Sequence, residues 1–117
     1  MTYGEFQEWW EKNAKVELQH FDAMPVLAIV DAIRAGRLGE FYQIWRSLAQ
    51  RARPDEANDL LLSFLSSQAE YLHRNHCAAA LIQINHLTEW QPEELSASSV
   101  HPVAKNLEKV RERLGGV

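Results

Sequence analysis

The sequence predicts an all-α protein. Its 117 residues are 46% hydrophobic and 24% charged, which is typical of a globular chain with a packed core. Apolar residues recur at helical spacing, as in the series Val103, Leu107, Val110 and Leu114. No useful length of sequence alternates with the period of two that marks a strand. We therefore expect about six helices, packed as an antiparallel bundle or as stacked helical hairpins.

Capping signals place the first two helices. Thr2 and Glu5 have the spacing of a capping box and predict a helix that runs to about Phe21. Pro25 suits the first position of a second helix, because proline lacks the N–H group that a helix start leaves without a partner. Gly36 is placed to end that helix, since glycine readily adopts the left-handed conformation of a C-terminal cap.

Three further helices follow in the middle of the chain. The third is expected over residues 40–52, up to the break before the next proline. That proline and the acids after it predict a fourth helix over 54–66. Ser67 and Glu70 have the spacing of another capping box, which predicts a fifth helix over 68–88.

The end of the chain is expected to hold a short helical turn and one last helix. Pro92 begins the turn, and residues 91–101 are expected to form a loop and a candidate hinge. The last helix is predicted over 102–114, before two glycines. We expect residues 1–117 to form a single helical domain in which this last helix packs either with the core or separately.

The stretch "LLSFLSSQAEYLHRNHCAAALIQI" resembles a HEAT-type helical hairpin. It has an apolar first helix, a short polar turn and a second helix with a run of small residues. The resemblance extends over residues 25–88 and implies HEAT-like stacked hairpins. It also implies a scaffold that binds other macromolecules across a surface, and it brings no catalytic residues with it.

Charge and composition favour a soluble protein of the cytoplasm. The net charge is -4 and the pI is about 5.7, whereas a general nucleic-acid-binding protein is usually basic. A single cysteine cannot form an internal disulfide, which fits a reducing compartment. No signal peptide or apolar run of membrane-spanning length is found, so we expect no membrane insertion.

Two Glu-x-x-His motifs raise the alternative of a metal site. Glu17 and His20 lie in the first helix, and Glu70 and His73 lie near the start of the fifth, with His76 one turn further on. Residues three apart share a helix face, and such pairs on two helices resemble a di-metal site for iron, manganese or zinc. That site also needs an inward glutamate from each of two other helices, which the sequence does not offer. In the first helix Glu17 projects from an apolar face formed by Phe6, Trp9, Trp10, Val16 and Phe21. The favoured interpretation is that Glu17 pairs with an arginine or a histidine, and that His73 and His76 face inward as satisfied core or interface residues.

The sequence does not predict an enzyme. Cys77 is expected to fill a small space in the core, because a nucleophilic thiolate needs exposure and a positive environment. No glycine-rich phosphate loop, Ser-His-Asp pattern or Cys-x-x-Cys pair is present. We expect no catalytic residues and no cofactor, apart from the metal of the alternative hypothesis.

Charges and aromatic residues instead indicate binding to another protein. Residues 1–22 carry five acids against two lysines, whereas residues 34–53 carry five arginines against one acid. These segments could face each other within one chain or across a homodimer. The residues expected to contact a partner are Arg34, Arg37, Arg46 and Trp9. We therefore predict a non-catalytic interaction module that serves as an adaptor, a regulator or a toxin-neutralising protein.

Overall fold

The computed structural model describes residues 1–96 and 100–115, without the side chains of 100–104. Within these residues it contains helices and no strand, which confirms the all-α prediction. The helices are α1 (Tyr3–Asp22), α2 (Val26–Arg34), α3 (Gln43–Arg51), α4 (Pro54–Leu65), α5 (Tyr71–Asn85), α6 (Pro92–Ser96) and α7 (Val100–Arg113). The hinge predicted over 91–101 falls partly outside the described residues. None of the described helices has the length and apolar character needed to cross a membrane.

The chain divides into two compact units, Met1–Arg51 and Ala52–Val117. The first unit holds α1 to α3, with α1 and α2 both packed against α3. The second unit holds α4 to α7, in which each helix packs against the next along the chain.

In the first unit, α3 supplies the centre of the core. Its side chains Ile44, Trp45 and Leu48 are fully buried. Their spacing places them on one face of the helix, which packs against the other helices of the unit. The core residues contributed by α1 and α2 are Ala14, Phe21, Ile29, Val30, Ala32 and Ile33. The helix α1 begins as predicted, since the Thr2 hydroxyl accepts a hydrogen bond from the N–H of Glu5 at 3.1 Å.

The connection between α2 and α3 differs from the sequence prediction. Gly36 ends α2 at a φ of +77°, with its N–H bonded to Ile33 O and that of Arg37 to Ala32 O. This is the Schellman arrangement that was expected of a glycine cap. The prediction that α3 begins at residue 40 is wrong. It begins at Gln43, after Tyr42 adopts a left-handed φ of 62°.

Polar side chains tie the end of α1 to the end of α3. The buried Ser47 hydroxyl donates to Asp22 Oδ1 at 2.6 Å. The guanidinium of Arg51 donates from Nη2 to Ser47 Oγ and Phe21 O, and from Nη1 to Met24 O. Arg51 therefore binds backbone carbonyls at the C-terminus of α1 and in the turn that follows it, where a basic side chain is favoured.

In the second unit, α4 and α5 form a helical hairpin around a leucine-rich core. Its fully buried side chains include Leu61, Leu65, Cys77 and Leu81. The amides of Asn58 and Asn85 exchange two hydrogen bonds across the hairpin, at 3.0 and 2.7 Å. These bonds satisfy polar groups that face the neighbouring helix.

The predicted capping box at the start of α5 is wrong. The Ser67 hydroxyl donates to Phe64 O at 2.6 Å and accepts from the N–H of Ala69, so it serves the turn after α4. The helix α5 begins only at Tyr71, with Glu70 preceding it. A serine that can bond to the backbone on either side favours a turn as readily as a helix start.

The last helix packs within the second unit. It begins at Val100, two residues before the predicted start, and Leu107 and Val110 are buried. The side chain of Asn106 donates to Glu94 O at 2.8 Å, which joins α7 to α6. Arg113 forms an ion pair with Glu89.

We predict that Leu81→Ala lowers the free energy of unfolding by about 2–5 kcal/mol, because it removes fully buried methyl groups and leaves a cavity. The matched control is Leu72→Ala in the same helix, where the side chain is 46% exposed. The control should cost less than about 1 kcal/mol. Urea unfolding followed by circular dichroism measures both, and equal losses would contradict the described packing of α5.

Candidate functional site

The carboxylate of Glu17 is the unusual polar group of the first unit. Glu17 lies on α1, and its Oε2 accepts a hydrogen bond from the backbone N–H of Phe41 at 2.7 Å. Its Oε1 is buried and has no hydrogen-bond partner among the described residues. The sequence predicted an arginine or histidine as the partner of Glu17. Its hydrogen bond at Oε2 comes instead from the backbone of the loop before α3, and His20 acts on the carboxylate through its charge.

Gly39 lets this loop approach the carboxylate. It adopts a φ of +76°, which favours glycine. A Cβ atom at this position would collide with Glu17 Oε1 and would lie 3.3 Å from Cε2 of Phe21. The position therefore requires glycine for two reasons, its backbone conformation and its contact with Glu17.

Burial raises the pKa of the Glu17 carboxyl above its ordinary value. The backbone N–H groups of Phe41 and Glu40 oppose this shift because they stabilise the charged form. The charge of Glu40 raises the pKa further, and His20 lowers it. His20 and Glu40 therefore each lie close enough to Glu17 to influence its carboxyl electrostatically.

The ring of Phe41 is held by both tryptophans of α1. Trp9 and Trp10 contact it edge-on, with ring centroids 5.6 and 5.7 Å away. Adjacent residues on a helix point about 100° apart, yet both indoles reach Phe41 because it lies between those two directions. Phe6 extends the cluster, with its ring 6.0 Å from that of Trp9.

Part of this cluster is exposed. Phe6, Trp9 and Val16 are 49%, 47% and 60% exposed, and they follow one another at helical spacing on one face of α1. We refer to these three residues as the α1 stripe. Large apolar side chains that are exposed together on one face often mark an interaction surface.

An open groove of about 770 Å³ lies beside the α1 stripe, within the first unit. Its apolar lining includes Val16, Phe21, Met24 and Phe41. Its charged or titratable lining residues are Glu17, His20, Arg37 and Glu40. We refer to it as the α1 groove.

The residues of the metal hypothesis are divided between the two units. Glu17 and His20 lie in the first unit, and Glu70, His73 and His76 lie in the second. Within each unit, the described residues contain no group of three or more His, Cys, Asp or Glu placed to hold a metal ion. The metal site that draws on both motifs stays a prediction.

Of the two histidines of α5, His73 is half-buried, as the sequence predicted for an inward-facing side chain, whereas His76 is exposed. Burial lowers the pKa of His73, against the opposing effect of Glu70. Burial also lowers the pKa of His76, and the charge of His73 lowers it further. Both imidazoles are therefore expected to be neutral near pH 7.

Cys77 is enclosed by the α4–α5 hairpin. Its Sγ donates to Leu61 O at 3.4 Å, and burial raises the pKa of the thiol well above its ordinary value. The thiol therefore stays protonated and out of contact with solvent, which does not suit a nucleophile.

The predicted partner-binding residues are exposed. Arg34, Arg37 and Arg46 form no ion pair within the described part of the chain, and Arg37 lines the α1 groove. Trp9 belongs to the α1 stripe. The sequence analysis overlooked Gly39 and Phe41, although a carboxylate on an apolar helix face needs donors and a glycine-containing connection can supply them.

No family model matches the chain, and no curated protein or solved structure is detectably similar to it. The resemblance of residues 25–88 to HEAT-type hairpins therefore stays a prediction. We therefore infer a function from the geometry of the α1 stripe and the α1 groove.

We predict that Gly39→Ala costs about 3 kcal/mol of unfolding free energy, since it combines a left-handed residue with a collision against Glu17. The matched control is Gly36→Ala, which has nearly the same φ but no atom within 4 Å of the added Cβ. The control should cost about 1 kcal/mol. Thermal and urea unfolding measure the difference.

A double variant tests the cause of this difference. In a Glu17→Ala background, Gly39→Ala should cost only about 1 kcal/mol, because the colliding carboxylate is absent. An unchanged cost in that background would show that Glu17 does not restrict position 39.

We predict that acidification destabilises the protein through His73 and His76. Their pKa values in the folded state lie below the ordinary 6.5, so the unfolded chain takes up protons first as the pH falls. The stabilising contribution is complete above pH 6.5 and is lost as the pH falls through the folded pKa values. A His73→Gln, His76→Gln double variant should lose less stability than the unmodified protein between about pH 7.5 and pH 5. Imidazole NMR titration gives both pKa values directly, and values of 6.5 or above would contradict the prediction.

Proposed function

We propose that this protein is a non-catalytic module that binds another protein through the exposed face of α1. The observation that carries the proposal is the α1 stripe, in which Phe6, Trp9 and Val16 remain about half exposed or more. Tryptophan and other aromatic residues are enriched among the side chains that dominate binding energy at protein interfaces.

The α1 stripe is supported in a way that suits recognition. Trp9 packs against the ring of Phe41, and the backbone N–H of Phe41 is hydrogen-bonded to Glu17. These contacts hold the partly exposed indole in one position. A surface that is already ordered loses less conformational entropy on binding. Because the stripe has helical spacing, the fitting partner element is an amphipathic helix that lies along α1.

The charges around α1 add specificity. Glu5, Glu8 and Glu11 are exposed on the same helix and favour a partner with basic groups. Arg34 and Arg46 are exposed elsewhere in the first unit and are suited to acidic groups of the same partner. An adaptor, a regulator and a toxin-neutralising protein differ in the partner rather than in this surface. The single buried cysteine suits a reducing compartment such as the cytoplasm.

The proposal predicts that Phe6→Glu, Trp9→Glu loses a specific partner without unfolding. Both side chains are already partly in water, so the free energy of unfolding should change by less than about 1 kcal/mol. The tagged protein and this variant are compared by quantitative affinity purification from the source cells. The partner so defined is then purified, and its affinity for the chain should fall at least about a hundredfold.

The matched control is Tyr71→Glu, which alters an exposed aromatic residue on α5. It should retain the partner. Equal recovery of every protein by the unmodified chain and the α1 variant would contradict the proposal. Arg46→Glu distinguishes the contribution of the exposed arginines from that of the α1 stripe, because it should weaken binding only if the arginines also contact the partner.

A further inference from the structure

We propose that the α1 groove receives a lysine or arginine side chain of the bound protein. This inference rests on the proposed function, because the same partner lies along the α1 stripe. It defines the chemistry of that partner, an amphipathic helix that carries a basic residue next to its apolar face. The α1 groove thus acts as a subsite that selects among helices that could cover the stripe.

The α1 stripe and the α1 groove are continuous. Val16 belongs to both, and His20, which lines the groove, lies one helical turn after Val16. A helix that covers Trp9 and Val16 therefore passes the opening of the groove. A side chain on the edge of that helix reaches into it without any movement of the main chain.

The walls of the α1 groove suit the stem of a long basic side chain. Val16, Phe21, Met24 and Phe41 provide apolar surface. Lysine and arginine cover such surface with their methylene groups while the charged end lies at a polar position. A short polar side chain would leave this apolar surface in contact with water.

Two carboxylates supply the polar position. Glu17 and Glu40 both line the α1 groove, and the charge of Glu40 raises the pKa of Glu17, which shows that the two groups are close. The Oε1 atom of Glu17 is buried against Gly39, so Glu17 contributes its charge to the groove, and the exposed carboxylate of Glu40 is the group that a cation contacts directly. Arg37 and His20 also line the groove, but neither forms an ion pair with Glu17 or Glu40 within the described part of the chain, and His20 acts on Glu17 only through its charge.

The same charges argue against an acidic occupant. An aspartate or glutamate in the groove would face two carboxylates, Glu17 and Glu40, against the single arginine Arg37, and like charges at a contact disfavour binding. An ammonium or guanidinium group instead gains charge-assisted hydrogen bonds to a carboxylate. Its approach also offsets the cost of keeping Glu17 ionised in a partly buried position.

The experiment uses the full chain and three small probes that share one backbone. These are Nα-acetyl-lysine amide, Nα-acetyl-norleucine amide and Nα-acetyl-glutamate amide. In ¹H–¹⁵N NMR titrations, the lysine probe should shift the amides of Gly39, Glu40 and Phe41. Norleucine has a similar chain without the charge, so it should bind about tenfold more weakly. The glutamate probe should produce no saturable shift.

Two variants assign the binding to the carboxylates. Glu40→Gln should weaken the lysine probe about threefold to tenfold, because it removes one charge from an exposed position. Glu17→Gln should have a smaller effect, because Glu17 acts on the probe through its charge alone, provided that NMR shows the Phe41 amide still bonded. The matched control is Glu108→Gln, an exposed glutamate on α7, which should leave the titration unchanged.

The result that would overturn the inference is equal binding of the lysine and norleucine probes, or no shift at Gly39, Glu40 and Phe41. Loss of the protein partner in the Phe6→Glu, Trp9→Glu variant, without any lysine-probe binding, would leave the proposed function standing and remove only this subsite. Lysine-probe binding without loss of the partner would support the subsite and contradict the α1 stripe. Sedimentation equilibrium tests whether the partner is a second copy of this chain. Self-association that requires Lys12 or Lys15 would overturn the inference that the lysine or arginine comes from a different protein.

Discussion

The hydrogen bond between the Glu17 carboxylate and the backbone of Phe41 is the constraint on which the first unit depends most. It joins α1 to the loop that precedes α3, and Gly39 allows the two to meet. Once Phe41 is placed, its ring gives Trp9 and Trp10 a common contact. The contact of Trp9 and Trp10 with Phe41, and the position of the loop that lines the groove, therefore both depend on one partly buried carboxylate.

The helices themselves were largely predictable. The Thr2 cap, the proline at the start of α4 and the Gly36 termination act within a few residues, so local sequence specifies them. The start of α3 was not predictable in this way. Residues 40–42 have the composition of a helix, but contact with α1 draws them into a loop in which Tyr42 has a positive φ. Tertiary contacts of this kind override local preference.

The candidate site was predictable in part. Helical spacing placed Glu17 on an apolar face, and the expectation that it needed a partner followed from the cost of burying a charge. The identity of that partner did not follow, because backbone donors carry no signature in the sequence. The inward position of His73 was also predicted from spacing, and this residue is half-buried, whereas His76, which was predicted on the same face, is exposed. The exposure of Phe6 and Val16 was missed, because periodicity alone cannot distinguish a core-facing position from a neighbouring exposed one.

The network around Arg51 has a consequence for how the protein is made. Every group that Arg51 contacts there, from Phe21 and Met24 to Ser47, precedes it in the chain. All the residues that form these hydrogen bonds between the ends of α1 and α3 are therefore outside the ribosome as soon as residue 51 has left the exit tunnel. Synthesis proceeds at about 5–20 residues per second, so the second unit emerges over seconds. These hydrogen bonds can therefore form during translation, because none of them involves a residue of the second unit.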